Sequence, residues 1–123
     1  MKEIFQSFKK SLQRLAEILV KKKTVANRDS AIKRFELTFE LAWKSLQNFL
    51  DSEGIICRSP RESLQAAFKF GLIKDDETWI MMLQDRNFTV HAYDEKFADS
   101  VYKRLGSYKK LFLSLEKNLK EKI

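Results

Sequence analysis

Hydrophobic positions recur at steps of three and four residues along most of the chain, the spacing that places side chains on one face of an α-helix. The first such stretch covers residues 2–22, and three lysines at 21–23 would stand at its C-terminal end, where cations stabilise the helix dipole. Its apolar positions are Ile4, Phe5, Phe8, Leu12, Leu15, Ile18 and Leu19. This pattern predicts an amphipathic first helix.

The broadest apolar stripe covers residues 28–51 and predicts a long second helix. Asn27 or Asp29 can cap its start, and Gly54 can end it. The stripe consists of Ile32, Phe35, Phe39, Ala42, Trp43, Leu46, Phe49 and Leu50.

A third, short helix is marked by residues at both ends. Ser59, Pro60 and Glu62 stand in the positions of an N-cap, a first helical residue and a capping box. Gly71 is placed for a left-handed cap after a helix that ends near residue 70.

Aspartates mark the starts of two further helices. Asp75 or Asp76 can cap a fourth helix that runs into Arg86, and Asp94 can cap a last helix. The apolar residues of these helices are Trp79, Ile80, Met82, Leu83, Phe97, Val101, Leu105, Tyr108, Leu111, Phe112, Leu115 and Leu119. We therefore expect an all-α, antiparallel up-and-down bundle of about five helices, with the aromatic stripes in its core.

Composition agrees with this fold class. The chain has 123 residues, which suit one hydrophobic core, so we expect a single domain over residues 1–123. It contains three glycines and one proline, too few for the turns of an all-β fold.

Residue usage also limits the cofactors and compartments to expect. Cys57 is the only cysteine and His91 the only histidine, so an intramolecular disulfide is impossible and a metal site is disfavoured. We expect no cofactor. The N-terminus lacks an apolar signal-type run, and no stretch has the roughly 18 apolar residues of a membrane span. We therefore expect a cytoplasmic protein without membrane association.

The net charge of +7 is unevenly distributed. Residues 1–28 hold eight basic residues against two acids, and residues 101–123 hold seven against two. A pair of basic outer helices would attract RNA phosphates, although solvated helix faces account for the same charges.

Most familiar catalytic patterns are absent, including phosphate-binding glycine loops and H-E-x-x-H. The only support for a catalytic dyad of Cys57 and His91 is that the chain contains one cysteine and one histidine. Glu36 and Glu40 share a helix face, but Lys44 follows at the next four-residue step. The order from Glu40 to Lys44 favours a structural ion pair over paired catalytic carboxylates.

Residues 85–94, DRNFTVHAYD, contain the one histidine in an R-x4-H-x-Y arrangement. His91 can exchange a proton near neutral pH, and Arg86 offers a planar set of donors that matches phosphate oxygens. These are the groups that RNA cleavage without a metal needs. A 2′-hydroxyl attack would give a 2′,3′-cyclic phosphate and a 5′-hydroxyl.

The spacing raises a geometric difficulty, because five helical positions separate Arg86 and His91 by about 140°. Arg86 and Tyr93 would lie on nearly one face. The pair can meet if the helix bends or breaks near residues 87–89, if the arginine reaches round, or if a second copy completes the site. Alternatively, the histidine is structural and the arginine pairs with Asp85 or Asp94.

Three segments in order resemble the HepT-like HEPN family, including its nucleotidyltransferase substrate-binding subgroup. Residues 85–95 resemble the R-x4-H-x-Y signature, and residues 34–44, RFELTFELAWK, are similar to the family's second-helix signature. The third is Ser59-Pro60-Arg61-Glu62 with Ala66, Ala67 and Gly71.

The resemblance implies a homodimer in which two motif segments face one cleft, and a metal-independent ribonuclease toxin. Arg86 would stabilise the phosphate, His91 would act as general base or acid, and Asn87 would orient either one. It also implies a minimal nucleotidyltransferase partner, of the MntA type, that adenylylates Tyr93 from ATP. The added AMP would block the cleft and repel RNA.

Two other function classes remain open at the level of sequence. One is a non-catalytic subunit that presents substrate to a nucleotidyltransferase or forms its scaffold. The other is a helical interaction protein with no role in nucleic-acid binding, which leaves the R-x4-H-x-Y segment unexplained.

Overall fold

The computed structural model describes residues 2–91 and 94–123, with side chains described through residue 90 and again from residue 94. These residues form five helices and no strand, which confirms the predicted all-α class. The helices are α1 (Lys2–Leu19), α2 (Val25–Ser52), α3 (Pro60–Phe70), α4 (Asp76–His91) and α5 (Glu95–Lys122).

Helices α1, α2, α4 and α5 surround one core, and α3 packs against α2 and α4. Helices α1 and α2 are antiparallel neighbours, joined in their buried interface by the 2.6 Å hydrogen bond between the hydroxyls of Ser11 and Thr38. Helix α4 runs against both α2 and α5. The predicted antiparallel up-and-down bundle is therefore confirmed.

Aromatic rings from different helices meet at the centre of this bundle. Phe35 of α2 stacks on Tyr108 at 5.5 Å between ring centroids and also contacts Phe112 of α5. Trp79 of α4 meets Phe112 edge-on at 5.6 Å. All four rings are buried, so the aromatic stripes do form the core.

Several predicted helix ends are confirmed. The side chains of Ser59, Asp75 and Asp94 each accept a hydrogen bond from the backbone N–H three residues later. Gly71 adopts a left-handed conformation, with φ of 93°, and ends α3. Of the two candidates for the start of α4, Asp75 is therefore the cap.

The junction of α1 and α2 differs from the prediction. Helix α1 ends at Leu19, so the three lysines at 21–23 lie beyond it and not in its last turn. Thr24, and neither Asn27 nor Asp29, caps α2, because its hydroxyl accepts from the Asn27 N–H at 3.0 Å. The Asn27 amide instead donates to the carbonyl of Lys22 and closes the turn. None of the helices described is long and apolar enough to cross a membrane.

Candidate functional site

Arg86 lies on the side of α4 that faces α2. Its guanidinium carbon stands 5.4 Å from the centre of the Phe39 ring, a cation–π contact. One of its terminal nitrogens, Nη2, lies 3.5 Å from Oε2 of Glu40. Two consecutive residues of the long predicted helix therefore hold the arginine against α2.

Glu40 has two further partners on its own helix. The indole N–H of Trp43 donates to Oε2 at 3.1 Å, and the ammonium of Lys44 lies 3.3 Å from Oε1. The predicted ion pair of Glu40 with Lys44 is thereby confirmed. Because the carboxylate is shared among three groups, it neutralises only part of the charge on Arg86.

The guanidinium keeps unused hydrogen-bond donors. No acceptor in the described part of the chain takes a hydrogen bond from the Arg86 side chain, and its Nε is buried without a partner. The side chain is 20% exposed, so its outer nitrogens are accessible from solvent. The terminal nitrogens keep N–H donors from which an anionic oxygen can accept hydrogen bonds. Arg86 therefore has the features of an anion-binding residue.

The groove around Arg86 combines apolar, basic and acidic side chains. It encloses about 400 Å³ between α2 and α4. Leu37 and Val90 line it and are half exposed, at 54% and 49%. On the α2 side, Lys33 and Arg34 add positive charge, and Glu36 and Glu40 add negative charge. Among the described residues, Arg86 is therefore the one basic side chain that α4 contributes to a groove of mixed charge.

Helix α4 continues without interruption from Asp76 through His91. One predicted alternative was a helix break near residues 87–89 that would bring Arg86 and His91 together. This alternative is therefore wrong. Thr89 instead donates its hydroxyl to the carbonyl of Arg86 at 2.9 Å, within a regular helix. Five helical positions separate the two residues by about 140°. The side chain of His91 and the whole of Tyr93 lie outside the described residues.

The alternative pairing of Arg86 with an aspartate is also wrong. Asp85 pairs with Arg104, and Asp94 accepts from the N–H of Phe97 at 2.7 Å as the cap of α5. The predicted supporting residue Asn87 is exposed on α4.

Asp85 forms a first anchor for the motif, a role that no local pattern in the sequence indicates. Arg104 of α5 donates two hydrogen bonds to its carboxylate, at 2.8 and 2.9 Å, and the Tyr108 hydroxyl donates a third at 2.5 Å. The hydrogen bond to Asp85 raises the pKa of Arg104. Burial, and then the bond to Asp85, raise the pKa of the Tyr108 hydroxyl. The residue directly before Arg86 is thus fixed to α5.

Arg28 forms a second anchor on the other side of the motif. Its guanidinium, 3% exposed, donates to Glu95 at 2.7 Å, to Asp99 at 3.1 Å and to Asp29 at 2.9 Å. The hydrogen bond to Glu95 is the main cause of its raised pKa. Lys23, and then Arg28, lower the pKa of Asp99. These contacts fix the start of α5 to α2, so both flanks of the R-x4-H-x-Y segment are held in place.

Among the side chains of residues 2–90 and 94–123, no three Cys, Asp or Glu groups are arranged to hold a metal ion. Cys57 is buried, and its carbonyl accepts from Gln47 at 2.7 Å.

Comparisons with known proteins identify a family and a relative that this chain resembles. Residues 3–121 match the family described as nucleotidyltransferase substrate binding protein like. A probable ribonuclease HepT of Haemophilus influenzae is 31% identical over 83 residues, which are 63% of this chain and 57% of that relative. The chain thus matches little more than half of that relative's length.

Two solved structures share the helical arrangement. The crystal structure of a Thermus thermophilus protein has 35% sequence identity to this chain and a TM-score of 0.85. The match covers 91% of this chain and 98% of the Thermus thermophilus chain. A Haemophilus influenzae protein, described as having the fold of a substrate binding domain of a nucleotidyltransferase, is 23% identical. The match covers 97% of this chain and 96% of the Haemophilus influenzae chain, with a TM-score of 0.70. The second likeness concerns the fold alone.

Proposed function

Because the chain belongs to the nucleotidyltransferase substrate binding protein like family, within the HepT-like HEPN proteins, we propose that it is a metal-independent endoribonuclease toxin. The observation that carries the proposal is the state of Arg86. Its side chain lines a groove, is 20% exposed and donates no hydrogen bond to any of the described residues. A phosphodiester of RNA supplies the oxygens that this group lacks.

In the proposed reaction, the 2′-hydroxyl oxygen of a ribose attacks the adjacent phosphorus and the bond from phosphorus to the 5′-oxygen breaks. His91 acts as the general base or acid. One proton leaves the 2′-hydroxyl and one reaches the departing 5′-oxygen, so no proton is gained or lost. Arg86 stabilises the negative charge that builds on the phosphate. The products are a 2′,3′-cyclic phosphate and a 5′-hydroxyl.

A homodimer is part of the proposal, because one unbroken helix separates Arg86 and His91 by about 140° around its axis. Two motif segments facing one cleft would let residues of both copies act on the same phosphate. Leu37 and Val90 add exposed apolar surface next to Arg86 that such a contact would cover.

We expect the purified, unmodified protein to cleave RNA in the presence of EDTA. His91→Ala should lower the rate by about 10²- to 10⁴-fold, because general acid–base catalysis contributes that much. The measurement is cleavage of an end-labelled RNA, with the cyclic phosphate identified by mass. Gln84→Ala, an exposed position on α4, is the matched control and should cleave normally. Cleavage by His91→Ala at the control's rate would exclude this mechanism.

We further propose that a partner nucleotidyltransferase restrains the enzyme by modifying Tyr93. The phenol oxygen attacks the α-phosphorus of ATP, pyrophosphate leaves, and the phenol proton passes to a base of the partner. AMP placed two residues from His91 adds bulk and negative charge where RNA phosphate would bind.

Co-expression with a neighbouring small nucleotidyltransferase should add the mass of one or more AMP groups to the chain and suppress RNA cleavage. Tyr93→Phe should prevent the addition, because it removes the acceptor hydroxyl. Tyr102→Phe, a half-buried tyrosine of α5, should be modified like the wild type. Intact-protein mass spectrometry gives the result, and modification of Tyr93→Phe would place the AMP elsewhere.

A second candidate function is a non-catalytic subunit that binds substrate for a nucleotidyltransferase. The description of the matching family favours it. It predicts stable co-purification with the enzyme and no cleavage of RNA by the isolated chain.

A further inference from the structure

Helix α5 follows a strict seven-residue repeat on its buried side. Buried residues alternate at steps of three and four from its first turn to its last, which is the pattern of a bundle seam. They are Ala98, Val101, Leu105, Tyr108, Phe112, Leu115 and Leu119. Packing against α1, α2 and α4 accounts for this repeat.

The opposite, solvent-facing side of α5 repeats with the same period, although packing does not require it. Lysines occur at every seventh position, and serines occupy the positions four residues after the first three of them. All seven residues are exposed. The lysine row consists of Lys96, Lys103, Lys110 and Lys117, and the serines are Ser100, Ser107 and Ser114.

The geometry of the helix makes this row nearly straight. Seven residues rise about 10.5 Å and drift about 20° around the axis, so the four ammonium groups extend over about 32 Å. The interposed serine side chains are small and leave the spaces between the lysines open. A chain with regularly spaced negative charges can therefore lie along α5.

The charges of the lysine row are not neutralised within the chain. Across residues 2–91 and 94–123, none of the four lysines has a carboxylate within 4.0 Å, whereas Lys23, Lys33 and Lys44 each do. Their positive potential is therefore directed outward, where it attracts an anionic partner.

We propose that the lysine row is a binding surface for the phosphate backbone of RNA. The proposal deepens the proposed function by naming the surface that holds the substrate, but its test measures binding and needs no cleavage. Phosphate contacts require only cationic and hydroxyl groups, which are the two residue types repeated here.

The outer face of α5 lacks the apolar side chains that a protein partner or an anionic membrane would require. A protein partner needs buried aromatic or aliphatic anchors, and an anionic membrane needs an apolar face beside the basic one. Leu113, 47% exposed, is the one large apolar side chain on the outer side of α5 in the described structure. RNA therefore fits this surface better than either alternative.

The test replaces the four lysines of the row with glutamine and measures binding to a fluorescent oligouridylate of about 20 nucleotides, long enough to extend along the whole row. All proteins carry Arg86→Ala so that the RNA stays intact. The matched control replaces Lys10, Arg58, Arg61 and Lys69, four exposed residues of α1 and the region of α3. Arg86→Ala lowers the net charge of the parent protein from +7 to +6, and both variants lower it further to +2, since each loses four positive charges.

We expect the row variant alone to lose salt-dependent affinity. Each phosphate contact on a single strand contributes about 0.7 to the slope of log affinity against log salt, so the slope should fall by about 3. The roughly 50-fold loss of affinity that such contacts cause between 50 and 200 mM salt should disappear. The control should keep the slope of the parent protein.

Two results would overturn the proposal, and a third would separate it from the ribonuclease proposal. Equal losses in the row variant and the control would mean that net charge and not this surface attracts RNA. Unchanged RNA binding by the row variant, with row-dependent binding to phosphatidylserine vesicles, would assign the surface to a membrane. If the Arg86-containing protein cleaves no RNA but row-dependent binding is measured, the ribonuclease proposal fails and the binding surface stands.

Discussion

Replacing Arg86 with alanine is expected to lower kcat/KM for RNA cleavage by about 10³-fold, without unfolding the protein. Removal of one group that stabilises charge in a transition state costs about 10²- to 10³-fold, and loss of an arginine acting on phosphate costs about 10³- to 10⁵-fold. The fold should survive, because the side chain makes no hydrogen bond to any described residue and its ion pair with Glu40 is long, at 3.5 Å. The measurement is cleavage of a labelled RNA together with a thermal unfolding curve.

Two further variants separate charge from geometry at this position. Arg86→Lys keeps the positive charge but loses the planar donor set, so an intermediate loss of cleavage is expected. Glu40→Gln removes the carboxylate that competes with phosphate for Arg86, and a lower KM should follow. Wild-type cleavage by a folded Arg86→Ala protein would remove Arg86 from the mechanism.

The helices and most of their ends could be predicted because their causes are local. An apolar stripe with a period of 3.6 residues identifies a helix wherever it occurs, and a cap depends on a few neighbouring residues. The start of α2 was missed because more than one nearby residue can act as a cap. Thr24 and Asn27 are both good caps, and only the carbonyl of Lys22 that binds the Asn27 amide decides between them.

The surroundings of the candidate site could not be predicted in the same way. R-x4-H-x-Y spacing identifies Arg86 as a candidate, but its partner Glu40 lies on another helix, far away in sequence. Arg28 and Glu95 are separated by 67 positions, and Asp85 and Arg104 by 19. Which acid meets which base depends on how the helices pack, and charge patterns along the chain do not contain this information.

Asp85→Ala is expected to lower the free energy of unfolding by about 2–3 kcal/mol. Asp85 is buried, and its carboxylate accepts hydrogen bonds from both Arg104 and Tyr108. The Tyr108 hydroxyl would be left in the core without an acceptor, at a cost of about 1–3 kcal/mol. Arg104 adds less than a fully buried partner would, because its side chain is 35% exposed and can be rehydrated. Thermal unfolding should shift down by about 10 °C.

The source of this loss can be identified with a second substitution. If the stranded hydroxyl causes much of the loss, then Tyr108→Phe in the Asp85→Ala background should cost less than it does in the wild type, and the two effects should not add. Asp75→Ala, which removes an exposed helix cap with two bonds to Thr78, is the matched control and should cost about 1 kcal/mol. Strict additivity of the Asp85 and Tyr108 substitutions would show that their hydrogen bond does not stabilise the junction of α4 and α5. In that case Arg104 alone would hold Asp85, and with it the neighbouring Arg86, to α5.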